Sequence, residues 1–226
     1  MTVETVHVAL PAGGVDVSAE YVRPPDAWAT LALAHGAGAG HQHPFLLGLS
    51  RGLEAQGVAT LRFAFPYREA GRRMPGPAAH AIATWEAVMR WLDAADAPRP
   101  VWAAGKSYGG RMASMAAAEG VIEPAGLIYL GYPLHPPGDP TKARVAHLPA
   151  VAAPQLFVEG TRDPFIDPHE QLLEAVATCR DAVVHWVEGA DHSFAVKGRK
   201  LPADQIGEEL AAPVVAFLSA RGAGLG

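Results

Sequence analysis

The sequence predicts an α/β protein built on one mostly parallel sheet with helices on both faces. Strand-like and helix-like segments alternate along the 226 residues, which is the pattern of a layered α/β unit. The segment 28–34, Trp-Ala-Thr-Leu-Ala-Leu-Ala, is an almost unbroken apolar run, as strands buried on both faces of a parallel sheet are. Between such runs, Ile82, Trp85, Met89 and Leu92 recur at three- and four-residue intervals and mark one face of a helix. Half the residues are apolar, so a large core is easily filled, and the length suits a single domain over 1–226.

Taken in order, residues 5–10 and 15–22 read as two strands joined by the turn Pro11-Ala12-Gly13-Gly14, an antiparallel hairpin. The third strand is 28–34, followed by the Gly-rich loop 35–40. Residues 45–56 form a helix entered through Pro44 and stopped by Gly57. Strand 58–65 leads into a Pro-, Gly- and Arg-rich loop, 66–77. A helix follows over 77–97, ended by Pro98 and Pro100. Strand 101–104 runs into helix 108–119, whose Gly109, Gly110, Ala113, Ala116 and Ala117 let it lie close on a sheet. Strand 125–130, the Pro-rich connection 131–154, strand 155–159, helix 168–179 and strand 182–187 come next. A last helix starts near Asp204 and bends at Pro213.

Composition narrows the function. The net charge is −5 and the pI about 6, which weakens the case for nucleic acid as a partner, since that wants a concentrated basic face. No apolar run approaches the roughly 18 residues of a membrane span, and there is no basic, then apolar, leader. One cysteine, Cys179, excludes an internal disulfide, suits a reducing compartment and has no base in view. The expected location is cytoplasmic.

The chemistry centres on Gly105-Lys106-Ser107-Tyr108-Gly109-Gly110, between a strand and a helix. In a G-x-S-x-G elbow the serine takes a strained backbone conformation that lifts its hydroxyl clear of the sheet, and residues two before and two after must lack side chains. Serine needs a base to be nucleophilic. His192, just after the last strand, is that candidate, whereas His185 lies inside the strand and reads as structural. Asp163 and Asp167 both follow the preceding strand and can orient the imidazole; Asp167 is also placed to cap the helix at Pro168. Asp191 adjoins His192, and neighbouring extended side chains point apart. The expected oxyanion donors are the backbone N–H of Tyr108 and, from the loop after the third strand, that of Ala37 or Gly38. His35, Lys106, Arg72 and Arg73 are possible pocket residues, the arginines for an anionic group. His35, His41 and His43 share a loop with no acidic or thiol ligand nearby, so no metal is expected.

His35-Gly36-Ala37-Gly38, Phe65-Pro66-Tyr67, the elbow through Arg111, Tyr132-Pro133-Leu134-His135-Pro136-Pro137, Gly160-Thr161-Arg162-Asp163-Pro164 and Asp191-His192-Ser193 together resemble the α/β-hydrolase superfamily along nearly the whole chain. The similarity is greatest to its small KANL/Tex-type, dienelactone-hydrolase-like branch. The resemblance implies an eight-stranded sheet of order 1-2-4-3-5-6-7-8 with strand 2 antiparallel, a triad of Ser107, Asp163 and His192, and an oxyanion loop at Ala37. Dienelactone hydrolases proper use cysteine where Ser107 stands, so lactone specificity does not carry over.

The expected activity is hydrolysis of a small or medium ester, thioester or lactone through an acyl-enzyme on Ser107, without a cofactor. The alternatives are a fold-retaining binding module with weak or no turnover, and a related transacylation or perhydrolysis. Asp-elbow chemistries, those of haloalkane dehalogenases and epoxide hydrolases, are disfavoured. No insert is long enough for a large cap, so the pocket is expected to be open, roofed by 66–77 and 131–154.

Overall fold

A computed structural model describes residues 2–10 and 13–222. The strands are β1 (Thr2–Val8), β2 (Val15–Val22), β3 (Ala29–Ala34), β4 (Val58–Phe63), β5 (Val101–Lys106), β6 (Leu127–Leu130), β7 (Gln155–Gly160) and β8 (Ala182–Val187). They form one sheet of order β1-β2-β4-β3-β5-β6-β7-β8. β2 runs antiparallel to β1 and β4, and every other pairing is parallel. The order and sense are those the resemblance implied. Pro11 and Ala12 of the expected hairpin turn lie outside the described residues, while the Gly13 N–H donates to the Leu10 carbonyl at 3.0 Å.

The helices are α1 (Pro44–Glu54), α2 (Pro66–Glu69), α3 (Ala78–Ala94), α4 (Tyr108–Ala118), α5 (His169–Ala177), α6 (Ala203–Glu209) and α7 (Ala211–Gly222). Alternation within β3 sorts the core into two layers. Leu31 and Leu33 face Phe45, Leu46 and Leu49 of α1 and Val214 and Phe217 of α7. Ala32 and Ala34 face the layer built by Trp85 and Val88 of α3 and Met112 and Ala113 of α4. The small β3 residues let α4 lie tight on the sheet. α1 and α6 also touch closely: a Cβ on Gly207 would sit 2.0 Å from the Phe45 carbonyl oxygen.

Several expected boundaries shift for local reasons. β5 runs two residues further than expected, pairing Lys106 with Leu130, and the Ser107 N–H then donates to the Leu130 carbonyl at 3.0 Å. The serine is thus fixed directly at the strand end. α3 stops at Ala94, ahead of Pro98, because Asp96 enters the left-handed region at φ 49°. The expected loop 66–77 begins with α2, whose first residue is Pro66, already set to a helical φ. The final helix is two helices separated at Leu210; Pro213 falls in the first turn of α7, where its missing N–H is harmless.

Candidate active site

Ser107 occupies φ 48°, ψ −113°, between β5 and α4. A non-glycine residue holds such a conformation only where its surroundings over-determine it. Three glycines make that enclosure. A Cβ on Gly105 would lie 2.2 Å from the Gly110 nitrogen, and one on Gly109 would lie 2.6 Å from the His35 carbonyl oxygen. The strand end, the first turn of α4 and the loop after β3 therefore meet backbone to backbone.

His192 Nδ1 lies 2.6 Å from Asp163 Oδ2, and His192 Nε2 lies 2.9 Å from Ser107 Oγ. An ionised carboxylate only accepts, so Nδ1–H donates to Asp163 and Nε2 is left to accept the Ser107 hydroxyl proton. Asp163 is 1 % exposed, and its other oxygen accepts from the Phe165 N–H at 2.8 Å. The Phe165 ring lies against the imidazole at 4.1 Å between centroids. Burial lowers the pKa of His192, and the Lys106 cation adds to this; the hydrogen bond to Asp163 works the other way without cancelling it. The imidazole is neutral at pH 7. The alternative acid, Asp167, is exposed, and no side chain caps α5, whose N-cap is Pro168. His185 is exposed on β8, away from the serine.

A cavity of about 450 Å³ opens beside Ser107. Gly36, Ala37 and Ala39 form one wall, with Phe45 and Leu46 of α1 beside them. Tyr108 stands at the first position of α4, where helix geometry leaves the N–H without an internal partner. Gly38, at φ 77°, turns the loop and lines a neighbouring surface cleft instead of this cavity.

Other expected pocket residues are placed differently. Arg72 and Arg73 are exposed and do not line the cavity; the segment 66–77 does not roof it. The connection 131–154 does, through Pro133 and Arg144. His35 is fully buried and outside the lining: its Nδ1–H donates to the Gly36 carbonyl at 2.8 Å and its Nε2 accepts from the Phe65 N–H at 3.2 Å. Burial takes its pKa down to about 4, so it acts as a neutral strut tying the Ala37 loop to the end of β4. Lys106 does reach the cavity. Its Nζ is buried without a hydrogen-bond partner among the described residues and lies 5.3 Å from the centre of the Phe194 ring. Burial brings its pKa to about 8, against the pull of Asp163, Glu159 and Asp191.

Two supporting groups escaped the sequence reading. Glu20 on β2 and Arg62 on β4 form a buried ion pair at 2.6 Å. Glu20 also accepts from the Gln42 amide at 2.7 Å, and Arg62 donates to the His41 carbonyl at 3.0 Å, which anchors the loop entering α1. Glu159, at the end of β7, is fully buried and accepts from the Tyr132 N–H at 2.7 Å. Burial pushes its carboxyl pKa well up. Buried charged residues within strands carry no signal in an apolar pattern. His41 sits 3.6 Å from Glu20, and His43 accepts from the Phe45 N–H at the start of α1. No helix is long and apolar enough to cross a membrane among the described residues.

The chain is similar in structure to an α/β serine hydrolase homologue from Coxiella burnetii (22 % identity, TM-score 0.73, covering 96 % of this chain and 98 % of that one). It is also similar to a dienelactone hydrolase from Anabaena variabilis (22 %, 0.74, 96 % and 97 %). A third neighbour is a lidless member of the α/β serine hydrolases from Xanthomonas campestris (19 %, 0.69, 97 % and 95 %). The model of the family described as Alpha/beta hydrolase domain matches residues 27–219. The chain that carries this elbow belongs to the α/β hydrolase family.

Proposed function

We propose that the protein is a serine hydrolase that cleaves a small or medium carboxylic ester, thioester or lactone through an acyl-enzyme on Ser107. The observation that carries this reading is the hydrogen-bonded chain from Asp163 through His192 to a serine held at positive φ. Ser107 Oγ attacks the acyl carbonyl while His192 Nε2 takes its proton. The oxyanion that forms accepts from the N–H groups of Tyr108 and Ala37, each worth about 3 kcal/mol where such donors have been removed. His192 then returns the proton to the departing alcohol or thiol, and the acyl group remains on Ser107. A water molecule, deprotonated by His192, attacks that acyl-enzyme, and His192 returns the proton to Ser107 Oγ as the acid leaves. Asp163 holds the tautomer and steadies the imidazolium in both halves. The neutral imidazole at pH 7 suits the base role. No cofactor enters the scheme.

A fluorophosphonate probe with 4-nitrophenyl butyrate tests this. The wild-type protein is expected to be labelled and to hydrolyse the ester; Ser107→Ala and His192→Ala are expected to do neither. An unlabelled, inactive wild type would point to a binding module, and labelling that survives Ser107→Ala would move the nucleophile elsewhere.

A further inference from the structure

The cavity beside Ser107 carries an unbalanced charge. Lys106, Arg111 and Arg144 line it, and no Asp or Glu does, although the chain as a whole is negative. Lys106 has carboxylates around it in Asp163, Glu159 and Asp191. The two arginines do not. Among the described residues neither guanidinium has an ion-pair partner, and Arg111 Nε is buried with no hydrogen-bond acceptor. The groups around Arg111 supply no negative charge at neutral pH. Burial holds the Tyr108 hydroxyl up at about 12 and that of Tyr132 higher still, and burial with Arg111 holds His147 down at about 4. Burial also lowers the pKa of Arg111, and Arg144 lies close enough to repel it.

Two like charges facing one cavity are costly unless an anion is placed between them. Both are also held in position. The Arg111 N–H donates to the Ser107 carbonyl one turn along α4, at 3.1 Å. The Arg144 N–H donates to the Leu134 carbonyl at 2.7 Å, and its own carbonyl accepts from the Tyr132 hydroxyl at 2.9 Å. These bonds fix the backbone positions from which the two side chains reach the cavity.

The geometry points to Arg111 and Arg144 as a paired anion subsite, so that the substrate is an ester or thioester bearing a carboxylate that shares this cavity with its scissile carbonyl. A planar carboxylate suits two guanidinium forks, which bind it bidentately and through charge-assisted hydrogen bonds. This assignment rests on the acyl-transfer reading of Ser107 and adds the substrate class to it.

The test has a binding arm and a kinetic arm. In the Ser107→Ala protein, calorimetry is expected to find monoethyl glutarate bound at least tenfold more tightly than diethyl glutarate, with the difference shrinking as salt is added. In the wild type, kcat/KM for mono-4-nitrophenyl glutarate against its methyl ester, or for 4-carboxyphenyl butyrate against its methyl ester, is expected to favour the anion at least tenfold. Either pair suffices, and the responding pair tells which side of the ester bears the charge. Arg111→Gln and Arg144→Gln are expected to bring these ratios toward one, and Arg144→Lys to keep part of them. Ratios near one in the unsubstituted arginine background overturn the proposal. So does a preference that survives both Gln variants, or that disappears in Arg72→Gln or Arg73→Gln instead. Anion-selective binding with no hydrolysis of any ester would uphold the subsite and sink the esterase reading; hydrolysis of neutral and charged esters alike would do the reverse.

Discussion

Gly109→Ala adds one methyl group at the point where α4, the end of β3 and the Ala37 loop converge. The new Cβ would lie 2.6 Å from the His35 carbonyl oxygen and 2.8 Å from Ala34 Cβ, where ordinary contact begins at 3.4 Å. Neither neighbour is the far end of a flexible side chain, so the helix and the strand end must separate by roughly 0.8 Å. Overpacking of this kind costs about 1–3 kcal/mol, and the better helix propensity of alanine returns about 1 kcal/mol. For a chain of this size the net cost of about 0–2 kcal/mol lowers Tm by up to roughly 8 °C. Activity suffers more, because the displacement is applied between Ser107 and the loop carrying Ala37. Misplacement by about 1 Å costs on the order of a hundredfold in rate, so kcat for 4-nitrophenyl butyrate and the rate of fluorophosphonate labelling should fall about ten- to hundredfold. Thermal denaturation and the two rate assays read both effects. Gly76→Ala is the control, since its new Cβ would be no closer than 3.8 Å to His80, and it should change Tm by less than about 2 °C. A Gly109→Ala protein with wild-type Tm and labelling rate would refute the argument that this close approach fixes the serine.

Lys106→Met removes a cation that disfavours the His192 imidazolium, so the His192 pKa should rise and the acid limb of the kcat/KM profile should move to higher pH; a limb that stays in place or moves lower contradicts the assigned charge coupling. Arg62→Met leaves Glu20 buried without its cation and should destabilise the fold by about 3–5 kcal/mol in chemical denaturation, with Glu20→Leu in the same chain recovering most of the loss. Burial opposes ionisation of Glu20, but the Gln42 amide and the Arg62 guanidinium outweigh it and hold its carboxyl pKa below 4.5. Its contribution is therefore fully present above pH 4.5 and is lost as the pH falls below that value. Glu159 has the opposite sign. Its raised pKa means that the folded state binds this proton more tightly than the unfolded chain does, so its cost grows as pH rises above 4.5. Glu159→Gln, which keeps an acceptor for the Tyr132 N–H, should raise the Tm at pH 8 more than at pH 4; an equal or reversed change would show Glu159 ionised in the fold.

What could be read from the chain was whatever repeats locally. The continuous apolar run of β3, the three- and four-residue spacing of α3 and the glycines around Ser107 all lie within a few residues of the feature they specify. The placement of Ser107, Asp163 and His192 past the ends of β5, β7 and β8 is also seen in three dimensions, because strand ends of a parallel sheet share one edge. Residues whose roles depend on distant partners were opaque. Glu20 and Arg62 are 42 positions apart and meet only because β2 pairs with β4. Arg111 reads as one more residue of a small-residue helix, and Arg144 sits in a connection with no periodicity at all. The loop arginines Arg72 and Arg73 looked better suited to a ligand, yet a Pro- and Gly-rich segment left them in solvent. Asp167 fits a capping pattern, but Pro168 takes the N-cap place itself.

The buried contact between Glu20 and Arg62 gives the N-terminal hairpin a reach beyond its edge of the sheet. The family match begins at residue 27, after both hairpin strands, yet Glu20 holds Gln42 and Arg62, and Arg62 holds the His41 carbonyl. The segment 35–43 is thus braced from outside the shared region. Sequence drift in the hairpin can retune the wall opposite Ser107 without altering any residue that touches a substrate. A designer seeking to change selectivity while leaving the elbow intact has that lever in β2.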